Sequence, residues 1–364
     1  MSRQKKRIVV KVGSSSLTDE RGIICMERMK TLVESLVRLK QEANTEVLLV
    51  SSGAVAAGLG HLQWSRTMIT MPEKQAAAAV GQGLLIETYK HLFAEYGEMI
   101  AQLLLTRGDI EDRKRYVNIR NTLETLLHYG IIPIVNENDT VAVDEIRFGD
   151  NDTLGSWVGI LAEADLVILL TDIDGLYTAN PKEHPDARRI EVVKEITPEL
   201  EKAAGGTGSV HGTGGMKTKL QAAKIAMQAG IELVIAHSRT ERVIERVVAG
   251  EPLGTRFLPQ KRLSGKKQWI AFGSKVKGRL FVDDGAADAL VHGGKSLLAP
   301  GIVRIEGTFT EGDAVEIVQL DQRVIAKGIV NYSDADLRMI CGSSEHHLRE
   351  VVHRDVMILL EGVV

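Results

Sequence analysis

Residues Gly212-Thr213-Gly214-Gly215-Met216-Lys217-Thr218-Lys219 run a glycine cluster straight into lysines at the expected start of a helix. Glycines let backbone N–H groups converge on an anion, a helix N-terminus adds a favourable dipole, and lysine supplies a point charge for phosphate. The segment reads as a phosphate grip, with a flexible glycine-rich surface loop as the alternative. It is not a Walker A loop, because Met216 and His211 stand where that motif needs glycine. A second cation lies far upstream. Lys11 sits near the end of the apolar run Ile8–Val12 and is followed by Gly13 and three serines. A lysine in a buried strand is costly unless it meets an anion or an acid. The alternative is an edge-strand lysine reaching solvent; the glycine and serines that follow favour the anion-facing reading.

Acids and amides cluster at two further places, Asn136-Glu137-Asn138-Asp139 and Gly149-Asp150-Asn151-Asp152. The first also reads as an ordinary turn and the second as the cap of a following helix. Together they offer groups that suit a substrate carrying an amine and carboxylates. Neither has the spacing of a calcium loop. No intact G-x-G-x-x-G opens a helix after a strand, which disfavours a dinucleotide enzyme, and no nucleophile elbow accompanies the histidines.

These residues must be held by something, and the chain supplies an alternating frame. Strand-like runs are expected at Ile8–Val12, Val47–Ser51, Ile100–Thr106, Ile131–Asn136, Leu166–Thr171 and Glu232–Ala236. Helix-period segments fall between them at Cys25–Glu42, Glu73–Tyr96, Arg113–Tyr129, Leu154–Ala162 and Lys217–Ala229. Apolar strands alternating with helices predict an α/β fold, a mostly parallel sheet covered on both faces, with ligands beyond the carboxyl ends of its strands. Those ends carry Lys11-Val12-Gly13, Ser51-Ser52-Gly53-Ala54, Asn136 and Thr171-Asp172. Ala76–Ala79 with Gly81 and Gly83 is a small-residue stretch expected to pack closely.

A length of 364 residues suggests two domains. The polar stretch 260–267 reads as part of a linker, and short β-like runs follow at Arg279–Val282, Ile302–Glu306, Ala314–Val318 and Val324–Val330, with a returning strand expected at His353–Leu360. Net charge is -3, and residues 261–364 carry 14 basic against 14 acidic residues, so a polyanion-binding surface is not expected. Aromatics at 4% give few stacking platforms. Cys25 and Cys341 have no metal-ligand spacing and read as reduced thiols. No signal-peptide core or membrane-length apolar run stands out, so a soluble cytoplasmic protein is expected.

Six motifs in order, Val10-Lys11-Val12-Gly13-Ser14, Ser51-Ser52-Gly53-Ala54, Asn136–Asp139, Gly149–Asp152, Thr171-Asp172 and Gly212–Lys219, resemble the amino-acid kinase family. The resemblance spans roughly residues 5–255, and the tail resembles a PUA domain, a small β-rich pseudo-barrel. It implies an αβα sandwich over residues 1–258, a linker over 259–274 and the PUA domain over 275–364. Within the family it points to members that transfer the γ-phosphoryl group of ATP, with Mg²⁺, to the γ-carboxylate of L-glutamate, opening proline synthesis. Acetylglutamate or aspartate as acceptor, or RNA binding through the tail, are the alternatives. Carried over, Lys11, Lys219 and Asp152 would be catalytic, with Asp152 orienting the lysines. Lys11, Gly13, Thr171, Asp172, Thr213, Gly214, Gly215, Met216, Lys217, Thr218 and Lys219 would contact ATP. Ser52, Gly53, Asn136, Asp139, Asp150 and Asn151 would hold glutamate, and no protein side chain is expected to ligate the metal directly. The resemblance further implies feedback inhibition by proline, a homo-oligomer (dimer or tetramer) and a glutamyl-phosphate reductase as partner.

Overall fold

A computed structural model describes residues 5–360 apart from 20, 43, 66–68, 143–150, 180, 182–183, 185, 205–214, 261–264 and 342–349. Its strands begin with β1 (Lys6–Val12), β2 (Thr45–Val50), β3 (Ile100–Leu105), β4 (Ile132–Glu137) and β5 (Leu166–Thr171). A two-stranded ladder of β6 (Leu176–Tyr177) and β7 (Arg189–Ile190) follows, then β8 (Val192–Val193), β9 (Glu232–His237) and β10 (Thr255–Phe257). The main sheet has eight strands in the order β3-β4-β2-β1-β5-β9-β10-β8. Its first six strands are parallel, and only the β9–β10 pair is antiparallel.

The helices are α1 (Ser14–Leu17), α2 (Met26–Glu42), α3 (Ala54–Leu62), α4 (Met71–Ala94), α5 (Arg107–Glu111), α6 (Arg113–His128), α7 (Asn151–Leu161), α8 (Pro198–Ala204), α9 (Met216–Gln228) and α10 (Val243–Val248). Alternation along β1 decides which side chain meets which layer. Ile8, Val10 and Val12 join one apolar cluster with Met29, Val33 and Leu36 of α2 and Leu85, Tyr89 and Phe93 of α4. Lys11 is out of phase with them and faces the other layer, where α7 and α9 pack together.

The small-residue stretch packs as its composition suggests. A Cβ on Gly81 of α4 would collide with the Ala54 carbonyl of α3, and one on Gly58 of α3 with the Ala77 carbonyl of α4. These glycines let the two helices touch backbone to backbone beside the end of β2.

The chain divides into two units, residues 1–110 with 114–262, and residues 263–364 with 111–113. The second contains α11 (Gly265–Gln268), β11 (Val276–Val282), α12 (Asp284–Val291), β12 (Ile302–Gly307), β13 (Ala314–Gln319), β14 (Val324–Val330), α13 (Asp334–Cys341) and β15 (Val352–Leu359). Its five-stranded sheet runs β12-β11-β13-β14-β15 over a core that includes Leu280, Phe309, Ile317, Ile325 and Leu337. Within the stretch 259–274 read as a linker, the described residues 265–273 are helical. Residues Trp269–Gly273 form a π-helical turn directly after α11, with Trp269 and Ile270 buried. The lysines before Trp269 gave that stretch its linker-like composition, while two large apolar side chains within it had a core to enter. Among the described residues no helix is long and apolar enough to cross a membrane.

Candidate active site

Three charged side chains from distant parts of the sequence meet at the carboxyl end of β1. Lys11 Nζ lies 2.6 Å from Asp152 Oδ1, and Lys219 Nζ donates to Asp152 Oδ2 at 2.9 Å. All three are buried: Lys11 and Lys219 are 5% exposed and Asp152 is fully enclosed. Burial opposes ionisation of Asp152, but the two adjoining ammonium groups outweigh it and hold the carboxyl below the ordinary carboxylate range. Asp152 is the second residue of α7, inside the helix. Its carboxylate serves the lysines, so the helix-cap alternative does not describe it.

The local sequence explains why the stems fit. Gly155 stands one turn after Asp152, and a Cβ there would crowd the Lys11 Cβ at 3.3 Å. The lysine stem therefore lies along the side of α7 that a larger residue would fill. Ser156, one position on, donates to the Ala222 carbonyl of α9 at 2.8 Å, fixing that helix against α7. Helical spacing then sorts the lysines of α9. Lys219 points inward, three residues before Ala222, whereas Lys217 is exposed.

Beside this triad, toward β2 and β4, lies a neutral network. Asn151, the first residue of α7, donates through Nδ2 to the Ser51 carbonyl at 2.8 Å, Ser52 Oγ at 2.7 Å and Asn136 Oδ1 at 3.0 Å. Asn136 Oδ1 also accepts from the Glu137 N–H at 2.9 Å, and Asn136 Nδ2 donates to Gln82 Oε1 of α4 at 2.7 Å. Ser51 Oγ and the Tyr89 hydroxyl lie 3.1 Å apart, and burial raises the Tyr89 pKa, which keeps the phenol neutral. Asp139 is half-buried in the turn that follows β4.

On the other side of β1, the carboxyl ends of β5 and β9 carry Thr171, whose hydroxyl donates to Asp172 Oδ1 at 3.0 Å, and Ser238, whose hydroxyl lies 2.9 Å from Ser16 Oγ. Gly215 is the N-cap of α9, followed by Met216, Lys217 and Thr218 in its first turn. Gly53, at φ +91°, is the N-cap of α3. The Gly13 N–H donates to the Leu170 carbonyl at 3.3 Å, continuing the β1–β5 ladder. Thr213, Gly214 and Asp150 lie outside the described residues.

Gln82 and Tyr89 were not singled out from the sequence, and Ser51 only as the first residue of the Ser51-Ser52-Gly53-Ala54 motif. Gln82 sits in a run of alanines and glycines, where its polarity was the one available signal. Among the described residues no group of three or more His, Cys, Asp or Glu side chains could hold a metal ion.

The model of the amino acid kinase family matches residues 6–237, and that of the PUA domain matches residues 278–352. The chain belongs to the amino acid kinase family. Its relatives include a protein of Caldanaerobacter subterraneus subsp. tengcongensis named glutamate 5-kinase, 52% identical over 98% of both chains. One from Thermoanaerobacter pseudethanolicus with the same name is 48% identical over 98% of both. Among solved structures, carbamate kinase from Giardia lamblia bound to AMP-PNP covers 71% of this chain and 99% of its own, at 17% identity and a TM-score of 0.53, a likeness of fold. The parallel sheet is thus that of an amino acid kinase, with the β-rich unit as a PUA domain.

Proposed function

We propose that this chain transfers the γ-phosphoryl group of ATP to the γ-carboxylate of L-glutamate, yielding L-glutamyl 5-phosphate and ADP. The buried Lys11–Asp152–Lys219 triad carries the phosphoryl-transfer part of the reading. The relatives named glutamate 5-kinase, matched end to end, support the choice of acceptor.

The acceptor carboxylate is ionised at neutral pH, so attack on the γ-phosphorus needs no general base. A carboxylate oxygen forms the new P–O bond as the bond to the β–γ bridging oxygen breaks and ADP departs. The obstacle is anion against anion, and electrostatic positioning must overcome it. Two ammonium groups and one carboxylate leave the triad one positive charge in excess, aimed at the transferring group. Asp152 keeps the lysines apart and oriented before the nucleotide arrives. Lys217, Thr218 and the first turn of α9 hold the phosphates, with Thr171 and Asp172 along the nucleotide. Mg²⁺ bound to the phosphates would neutralise charge on their oxygens.

Over β2 and β4, Ser52, Gly53, Asn136, Asp139 and Asn151 bind the amino acid. Asn151 Nδ2 is committed to the Ser51 carbonyl, which leaves its Oδ1 as an acceptor suited to the α-ammonium. Proline carries the same α-amino and α-carboxylate groups, so it would compete there as a feedback inhibitor. Assembly of identical subunits, a cytoplasmic location and delivery of the labile acyl phosphate to a reductase belong to the same reading. All residues assigned to the chemistry lie in the first unit.

The test is ADP release measured with glutamate, N-acetylglutamate and aspartate as acceptors, with and without proline. Release driven by glutamate and suppressed by proline is expected. Release driven only by N-acetylglutamate or aspartate would overturn the acceptor assignment while keeping the family chemistry.

A further inference from the structure

The orientation of Gln82 follows from one backbone group. The Glu137 N–H can only donate, so the atom of Asn136 that it meets must be Oδ1. Asn136 Nδ2 therefore points the other way, toward Gln82, and the atom that meets it there must be Oε1. Gln82 is thus held with its amide nitrogen turned away from Asn136. That nitrogen makes no hydrogen bond within the protein among the described residues, although Gln82 is only 8% exposed. Its two N–H donors are therefore open to an acceptor from outside the protein.

The order of strands says what the acceptor is. Nucleotide-binding residues stand over β5 and α9, the lysine triad over β1, and the amide network over β2 and β4. Two strand spacings, about 10 Å, separate β1 from β4. An amino acid whose γ-carboxylate meets the triad at β1 has its α-carbon end toward β4, where Asn136 and Gln82 stand. A donor-only NH₂ suits a carboxylate there and not an ammonium.

We infer that Gln82 is a substrate-specificity residue whose side-chain amide donates to the α-carboxylate of the amino-acid acceptor. This rests on the glutamate reading above and adds to it a residue and the group that residue recognises. Gln82 then has two faces, one that fixes Asn136 and one that reads the substrate.

Two substitutions separate those faces. Gln82→Glu keeps an acceptor for Asn136 Nδ2 but removes the donor and opposes the α-carboxylate with a second negative charge. Gln82→Met removes both faces at similar volume. Steady-state kinetics on the full chain, with glutamate and its α-amide as acceptors, provide the readout. The wild-type chain is assayed first: no glutamate-dependent ADP release would sink the acceptor reading itself. With the wild type active, Gln82→Met should raise the glutamate KM about tenfold and Gln82→Glu about a hundredfold, since hydrogen bonds to charged groups are stronger than neutral ones. In both, the ATP KM should hold and kcat should stay within a few-fold. Gln82→Glu should also shift preference toward the α-amide at least tenfold, because its NH₂ can donate to the new carboxylate. Stabilisation against heat by saturating glutamate should shrink in the same order. If Gln82→Glu binds glutamate like the wild type, while Gln82→Met does not, the residue acts only through Asn136 and the proposal is overturned. Unchanged glutamate KM in both variants overturns it equally.

Discussion

The two halves of the candidate site solve opposite problems with opposite materials. Over β1, three formal charges are buried together, with Lys11 and Lys219 each within 3 Å of the Asp152 carboxylate. Over β2 and β4, the groups in contact are amides, hydroxyls and a backbone carbonyl, in the chain Gln82–Asn136–Asn151–Ser52. The charged half must attract a polyanion and stabilise charge as it moves. The neutral half must tell one small zwitterion from another, for which fixed donor and acceptor directions serve better than net charge. Damage to the first should therefore appear in kcat, and damage to the second in the KM for the amino acid.

The largest effect should come from Lys11→Ala, which removes a cation from the transferring phosphoryl. We expect kcat to fall on the order of 10³-fold with modest changes in either KM. A larger change in KM than in kcat would erase the contrast between the halves. Asp152→Asn should lower kcat by about 10²-fold and also destabilise the fold by about 3–5 kcal/mol, because two buried ammonium groups lose their counter-charge. Urea denaturation measures the second effect.

The pH dependence of that stability sharpens the point. Asp152 titrates below its unfolded value, so its contribution is present above that value and is lost as pH falls through the lower, folded one. Wild-type stability should thus drop as pH falls below about 4, and Asp152→Asn should show a shallower drop. Equal slopes for the two proteins would mean that the lysines do not hold the carboxyl ionised.

In the neutral half, Asn151→Ala should raise the glutamate KM about tenfold while kcat stays within a few-fold. Tyr89→Phe should matter least. It removes the hydroxyl facing Ser51 at a cost of about 1 kcal/mol in stability, with both KM values near wild type. A large rise in glutamate KM for Tyr89→Phe would mean that the network transmits more than its direct contacts suggest.

The same contrast governs what could be read from the sequence. The strands that position the site are long apolar runs between glycines and polar turns, and Leu166–Thr171 was placed to the residue. Strands of two or three residues, such as Val192–Val193 and Thr255–Phe257, carry no period and appear only once their neighbours exist. The charged residues were legible because a lysine at the end of an apolar strand needs a partner. Which acid answers it was not: locally Asp152 is only an acid near a helix start, and its role came through family resemblance. Gln82 was the least legible. Nothing in an alanine-rich helix says that one glutamine will meet Asn136, 54 positions away, because that contact depends on how α3 and α4 close on β2.

The central claim is that the buried lysine of α9, and not its exposed neighbour, acts on the transferring phosphoryl. Measuring kcat for Lys219→Ala beside Lys217→Ala, with ATP and glutamate both saturating, tests it most directly. The expected result is a loss on the order of 10³-fold for Lys219→Ala and less than tenfold for Lys217→Ala. Near-normal turnover by Lys219→Ala, or equal losses in the two variants, would contradict the account.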